Sequence, residues 1–119
     1  MPMTITERRV GDVTILDMKG RLVLDEGDAT LRARLNGLID QSRLKAVINM
    51  QDVTYMDSCG VGALVEKYVS IRRQGGDVKL LHLTPRSQHV LEIAGLLNVF
   101  EAYTTEAAAL ASFGPGQHG

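Results

Sequence analysis

Ile5 to Val10 and Val13 to Met18 read as two strands. The Gly11-Asp12 pair between them predicts a tight hairpin with a II′-type turn. Alternation over Thr14 to Met18 is imperfect, as expected of a strand buried on one face and partly on the other. Gly20 to Gly27 reads as a glycine-bracketed connection, in which Leu22 and Leu24 are expected to pack inward while Arg21 and Asp25 face solvent or a partner. Asp28 is placed to cap a helix whose apolar stripe is Leu31, Leu35, Leu38 and Ile39. Arg32, Arg34 and Asp40 fall away from that stripe and are expected in solvent.

The apolar run Ala46 to Met50 predicts a buried strand. Val61, Leu64, Val65, Tyr68 and Ile71 then recur at helical spacing, giving a helix from Ser58 to Arg73 that stops at Gly75-Gly76. Arg72 and Arg73 sit at its negative end, where the macrodipole favours cations. Asp77 to Leu83 is the next strand, and Thr84-Pro85 marks a helix start by N-cap and first-turn proline. That helix is expected to turn Val90, Leu91 and Ala94 inward and to end near Gly95. Val99 to Glu101 allows a short edge strand, after which Thr104 or Thr105 caps a last helix carrying Ala107, Ala108, Leu110, Ala111 and Phe113. The order β-β-α-β-α-β-α-β-α predicts an α/β fold: an opening β-hairpin, then βα units, in a mixed sheet of about five strands with about four helices.

Composition narrows the picture. At 119 residues the chain is expected to be one domain over residues 1–113, with a disordered tail over 114–119. Hydrophobic residues make up 45% and aromatic ones 4%, so the core must be aliphatic. A net charge of −1 without a basic stripe points away from direct nucleic-acid binding. No apolar run approaches the roughly 20 residues needed to span a bilayer, and the first residues lack a secretory pattern, so a cytoplasmic protein without membrane insertion is expected. The single cysteine, Cys59, excludes an internal disulfide and offers no metal cluster, and no cofactor is expected.

Candidate chemistry concentrates in Asp52-Val-Thr-Tyr-Met-Asp-Ser-Cys-Gly-Val-Gly62, where a strand leads through a turn into a helix. Asp57 and Ser58 are both N-cap residue types. Ser58 is therefore either a cap or a hydroxyl held at the positive end of a helix for anionic chemistry. Gly60 and Gly62 are poor first-turn residues, costing up to about 1 kcal/mol each against alanine. They point to close approach by another surface, with tight packing under the loop as the other reading. Catalysis is not indicated. Met56-Asp57-Ser58-Cys59-Gly60 is not a Gly-x-Ser-x-Gly elbow, no phosphate-binding Gly-x-x-x-x-Gly-Lys pattern exists, and His82, His89 and His118 are not placed by sequence as a base for Ser58.

Asn49, Asp52, Met56-Asp57-Ser58 and Gly60-Val61-Gly62, followed by an apolar helix, resemble the phosphorylation loop of the STAS family, specifically the bacterial anti-sigma factor antagonists. The resemblance implies a non-enzymatic binding module that captures an anti-sigma factor, itself a serine kinase of the histidine-kinase-like ATP-binding fold, and so frees a sigma factor. It implies that the kinase phosphorylates Ser58 to end the interaction and that a serine phosphatase resets it. The partner-binding face it implies comprises Arg21, Asp25, Asp52, Tyr55, Asp57, Ser58, Cys59, Gly60, Val61 and Gly62, on a monomer or weak dimer. Cys59 departs from the serine common beside the modified residue; it reads either as a small packed residue or as a reactive helix-terminal thiol that would make the protein a redox sensor. The stretch Leu22-Val23-Leu24-Asp25 is longer than the family's usual Gly-x-Leu-Asp. STAS domains also serve as accessory subunits of membrane lipid-transport ATPases and in stress-signalling assemblies, without a phosphorylation switch.

Overall fold

The computed structural model describes residues 3–114, so the tail expectation beyond Gly114 lies outside the described residues. Elements follow in the predicted order: β1 (Thr4–Val10), β2 (Val13–Leu22), α1 (Asp28–Asp40), β3 (Lys45–Met56), α2 (Ser58–Arg73), β4 (Asp77–Leu81), α3 (Pro85–Ile93), β5 (Glu101–Tyr103) and α4 (Glu106–Ala111). They build one mixed five-stranded sheet in the order β1-β2-β3-β4-β5. The hairpin β1-β2 is antiparallel and every later pairing is parallel. At the hairpin tip Gly11 takes φ +61, the left-handed residue a first-position glycine supplies.

Three successive crossovers step across the sheet in one direction. Right-handed crossovers of that kind leave their helices on one face. The buried side chains agree: Leu16, Met18, Ile48, Met50 and Leu80 pack with Leu31, Leu35 and Leu38 of α1, Leu64 and Ile71 of α2, and Leu91 of α3. The alternate residues Val13, Ile15, Val47 and Leu81 face the other way, against Ala109 and Phe113. A thick layer therefore supports α2, while short α4 covers the opposite face.

Several boundaries differ from the sequence reading, each for a physical reason. β2 runs on to Leu22, so Gly20-Arg21-Leu22 is strand and not part of the connection. β3 continues six residues past Met50 to Met56, because the pairing with β2 shifts register at Asp17/Lys19 and again at Gly20/Arg21. Each shift places an extra β3 residue opposite β2, a bulge. Burial along Met50 to Met56 then recurs every third residue, at Met50, Val53 and Met56, instead of every second. Asp28 does not cap α1: the N-cap is Gly27, without a side-chain cap, and Asp28 is a buried first-turn residue accepting from the N–H groups of Asp25 and Ala29. Arg32 and Arg34 are half-buried and paired, with Asp28 and Glu66 and with Glu7 respectively. β4 ends at Leu81, short of Leu83, and Ala94 is exposed beyond α3. β5 begins at Glu101, leaving Val99 and Phe100 in the loop, where Phe100 is buried edge-on against Tyr68. Thr84 and Thr105 cap α3 and α4, and Gly75 at φ +88 follows α2.

Candidate functional site

The carboxyl end of β3 delivers the chain into α2 through a single non-helical residue. Asp57 is that residue, extended at φ −113° and ψ −175°, and its carboxylate caps the helix by accepting from the N–H groups of Cys59 and Gly60 at 3.0 Å each. Ser58 is consequently the first helical residue. Its side chain is exposed and makes no hydrogen bond among the described residues. Sequence treats Asp57 and Ser58 as rival caps, and geometry gives the task to Asp57. What remains at Ser58 is a free hydroxyl at the positive end of a 16-residue helix.

The β2–α1 connection is strapped against this turn. Asp57 donates its N–H to the Leu22 carbonyl at 3.3 Å, and its second carboxylate oxygen accepts from the Leu24 N–H at 3.3 Å. Gly60 lies directly beneath: a Cβ there would stand 2.1 Å from the Leu22 carbonyl oxygen. Close approach by a partner is therefore not what Gly60 serves; it admits the protein's own backbone. Gly62 differs, being exposed with open space around its missing Cβ. Leu24, expected inward, is 57% exposed, whereas Leu22 is fully buried. Asp25 is exposed at φ +62, a conformation aspartate tolerates better than most residues.

The structure thus gathers Asp57, Ser58, half-buried Cys59 and Gly62 with Leu24 and Asp25, while Gly60 and Val61 are buried beneath them. Tyr55, 43% exposed, sits two residues before the cap on β3, beside Arg21 in the strand register. The Arg21 guanidinium lies 6.0 Å from the Tyr55 ring centroid, and that of Arg86, from the start of α3, lies at 5.2 Å. Asp52 stands apart. Five residues before Asp57, it is roughly 15 Å away along an extended strand. It opens instead on a shallow pocket of about 670 Å³ lined by Lys19, Arg21 and Thr54.

Two contributors escape the sequence reading. Leu24 could be suspected as the third apolar residue of a run in a glycine-bracketed connection that cannot bury all three. Arg86 carries a sharper signal, since a cation in the first turn of a helix opposes the macrodipole.

Asn49 acts elsewhere, on the α4 face. Its amide donates to Asp17, which holds the Arg8 guanidinium, and Arg8 reaches on to Glu106 of α4. The Arg8 hydrogen bonds hold the Asp17 carboxyl below its ordinary value, against desolvation, and raise Arg8 in turn. On the same face Lys79 is buried: burial pulls it down most strongly, but hydrogen bonds to Asp77 and Glu101 together leave it raised. His89 is exposed on α3 and His82 follows β4; neither hydrogen-bonds to Ser58. Among the described residues no group of three or more His, Cys, Asp or Glu side chains could hold a metal ion, and no helix is long and apolar enough to cross a membrane.

A family model described as STAS domain matches residues 4–109. The anti-sigma-B factor antagonist of Bacillus subtilis (strain 168) is 35% identical over 71 residues, 60% of this chain and 64% of that protein, so the match spans just under two thirds of that relative. The solved structure of an anti-sigma factor antagonist from Mycobacterium paratuberculosis is similar with a TM-score of 0.79 at 20% identity, over 92% of each chain. That of the Bacillus cell fate determinant SpoIIAA in its phosphorylated form has a TM-score of 0.71 at 22% identity, over 92% of this chain and 99% of that one. At such identities these two structures show the fold alone.

Proposed function

This chain belongs to the STAS domain family, and from that premise we propose that it is an anti-sigma factor antagonist switched by phosphorylation of Ser58. Unphosphorylated, it captures an anti-sigma factor in the cytoplasm and so releases a sigma factor. The anti-sigma factor is also an ATP-dependent serine kinase; it phosphorylates Ser58 and thereby loses its hold, and a serine phosphatase restores the binding form.

The observation that carries this reading is the division of labour between neighbours. Asp57 caps α2, so the Ser58 hydroxyl stands exposed with no structural duty. Modification adds roughly −1.5 to −2 charges and three acceptor oxygens. The dipole at the start of α2 accommodates that charge, so the fold survives it. A partner seated over Leu24, Ser58 and Gly62 instead meets new bulk and charge. Kinship with the named antagonist from Bacillus subtilis supports the same reading.

Affinity capture from native lysate with wild-type, Ser58→Ala and Ser58→Glu baits tests it. Wild type and the alanine variant are expected to retain an ATP-binding serine kinase that the glutamate variant loses. Equal recovery by all three baits would refute the switch, and a transport ATPase in that common set would make the chain an accessory subunit.

A further inference from the structure

Arg86 has a cost and no evident return within the chain. It sits at the second position of α3, whose first turn carries no acidic residue, so its charge faces the positive end of the helix dipole. It makes no ion pair or side-chain hydrogen bond among the described residues; its contact is with the exposed ring of Tyr55. Arg21 shares that ring, and its own carboxylate neighbour, Glu26, lies at 3.7 Å, too far for a hydrogen bond. Both guanidiniums thus stand over one aromatic side chain; Arg86 keeps its N–H groups unpaired among the described residues, while the Nε of Arg21 is ion-paired with Glu26 and only its outer N–H groups remain available. A local rule broken with only an exposed ring contact in return is what functional positions show.

We infer that Arg21, Tyr55 and Arg86 form a docking ridge for carboxylate side chains of the anti-sigma factor, with Arg86 its principal anchor. The inference rests on the function proposed above and identifies the chemistry of the partner's contact surface. Arginine recognises carboxylates through paired N–H donors. Stacking on Tyr55 holds each guanidinium before the partner arrives, which lowers the entropy lost on docking. Tyrosine and arginine are also the residues that dominate interface energetics. Arg86 lies in the first turn of α3, which follows β4, Arg21 at the end of β2, and Ser58 at the start of α2, which follows β3, so all three stand at the carboxyl end of the parallel strands. Asp57 does not compete for the guanidiniums, because its carboxylate is committed to three backbone N–H groups.

The test uses the full chain and the kinase recovered by the Ser58→Ala bait, purified and titrated against wild type, Arg86→Gln, Arg86→Glu, Tyr55→Ala and, as a control at the hairpin end, Arg9→Gln. Thermal midpoints close to wild type confirm that surface variants fold. The expected result is about tenfold weaker binding for Arg86→Gln, a larger loss for Arg86→Glu, a loss for Tyr55→Ala, which removes the ring both guanidiniums share, and retention by Arg9→Gln. The difference between wild type and Arg86→Gln should shrink as salt rises from about 50 to about 500 mM. A partner Asp or Glu changed to Arg should restore binding to Arg86→Glu. Undiminished binding by Arg86→Gln, or failure of every partner charge reversal to restore it, overturns the ridge while leaving the Ser58 switch standing. Failure of wild type and Ser58→Ala to retain any kinase overturns both.

Discussion

Two glycines a helical step apart do opposite work, and single substitutions should separate them. At Gly60 an added methyl would meet the Leu22 carbonyl at 2.1 Å, a backbone atom tied down by its hydrogen bond from Asp57. Gly60→Ala is expected to destabilise by about 2 to 3 kcal/mol. At Gly62 there is open space inside a helix, so Gly62→Ala should stabilise by about 0.5 to 1 kcal/mol. Urea unfolding of both variants checks this, with midpoints moving in opposite directions at an unchanged slope. Sequence could flag both glycines but not tell them apart, because the difference lies in a strand end 38 residues earlier that only the folded chain brings alongside. Ser58 and Asp57 pose the same difficulty: two adjacent capping types are equivalent until the backbone shows where helical dihedrals begin.

At the scale of elements, β3 shows why a strand can escape its own pattern. Two bulges turn the period from two to three, so Gln51-Asp52-Val53-Thr54-Tyr55-Met56 looks like a polar turn and is in fact strand. The start of α3 was legible to the residue and that of α2 to within one, because Thr84-Pro85 and the apolar repeat are local signals. α4 depends on tertiary polar contacts as well as on Ala109 and Phe113. Its link to the hairpin is Glu106 to Arg8 to Asp17, and this gives a pH signature. Asp17 is held below its ordinary value of 3.8 in the folded chain. Its contribution is therefore complete above that value and lost as pH falls through the lower folded value. Both side chains are partly exposed, which limits the effect to no more than about 1 kcal/mol. Asp17→Asn should be less stable than wild type near neutral pH, and in pH-dependent thermal denaturation the two should converge in acid, as pH falls through the lowered folded value of Asp17.

For the whole molecule, sequential strand order is the feature that assembles the site. With β2, β3 and β4 parallel, their following segments all leave at the same carboxyl end of the sheet, where Leu24, Ser58 and Arg86 stand. The number and succession of strands and helices could be read from alternating periodicities; the strand order and the convergence of those three residues could not, because they depend on pairing and register. Gly60, Asp57 and Leu22 then clamp the β2–α1 connection to the start of α2. Locked in this way, the surface proposed above for the anti-sigma factor should meet it already in its bound shape. Calorimetry of the association should therefore give a heat-capacity change accounted for by the apolar area of the interface alone, without the added increment that marks a segment folding as it binds. Loosening the clamp with Gly60→Ala should bring that increment back, making the heat-capacity change more negative for the same final complex.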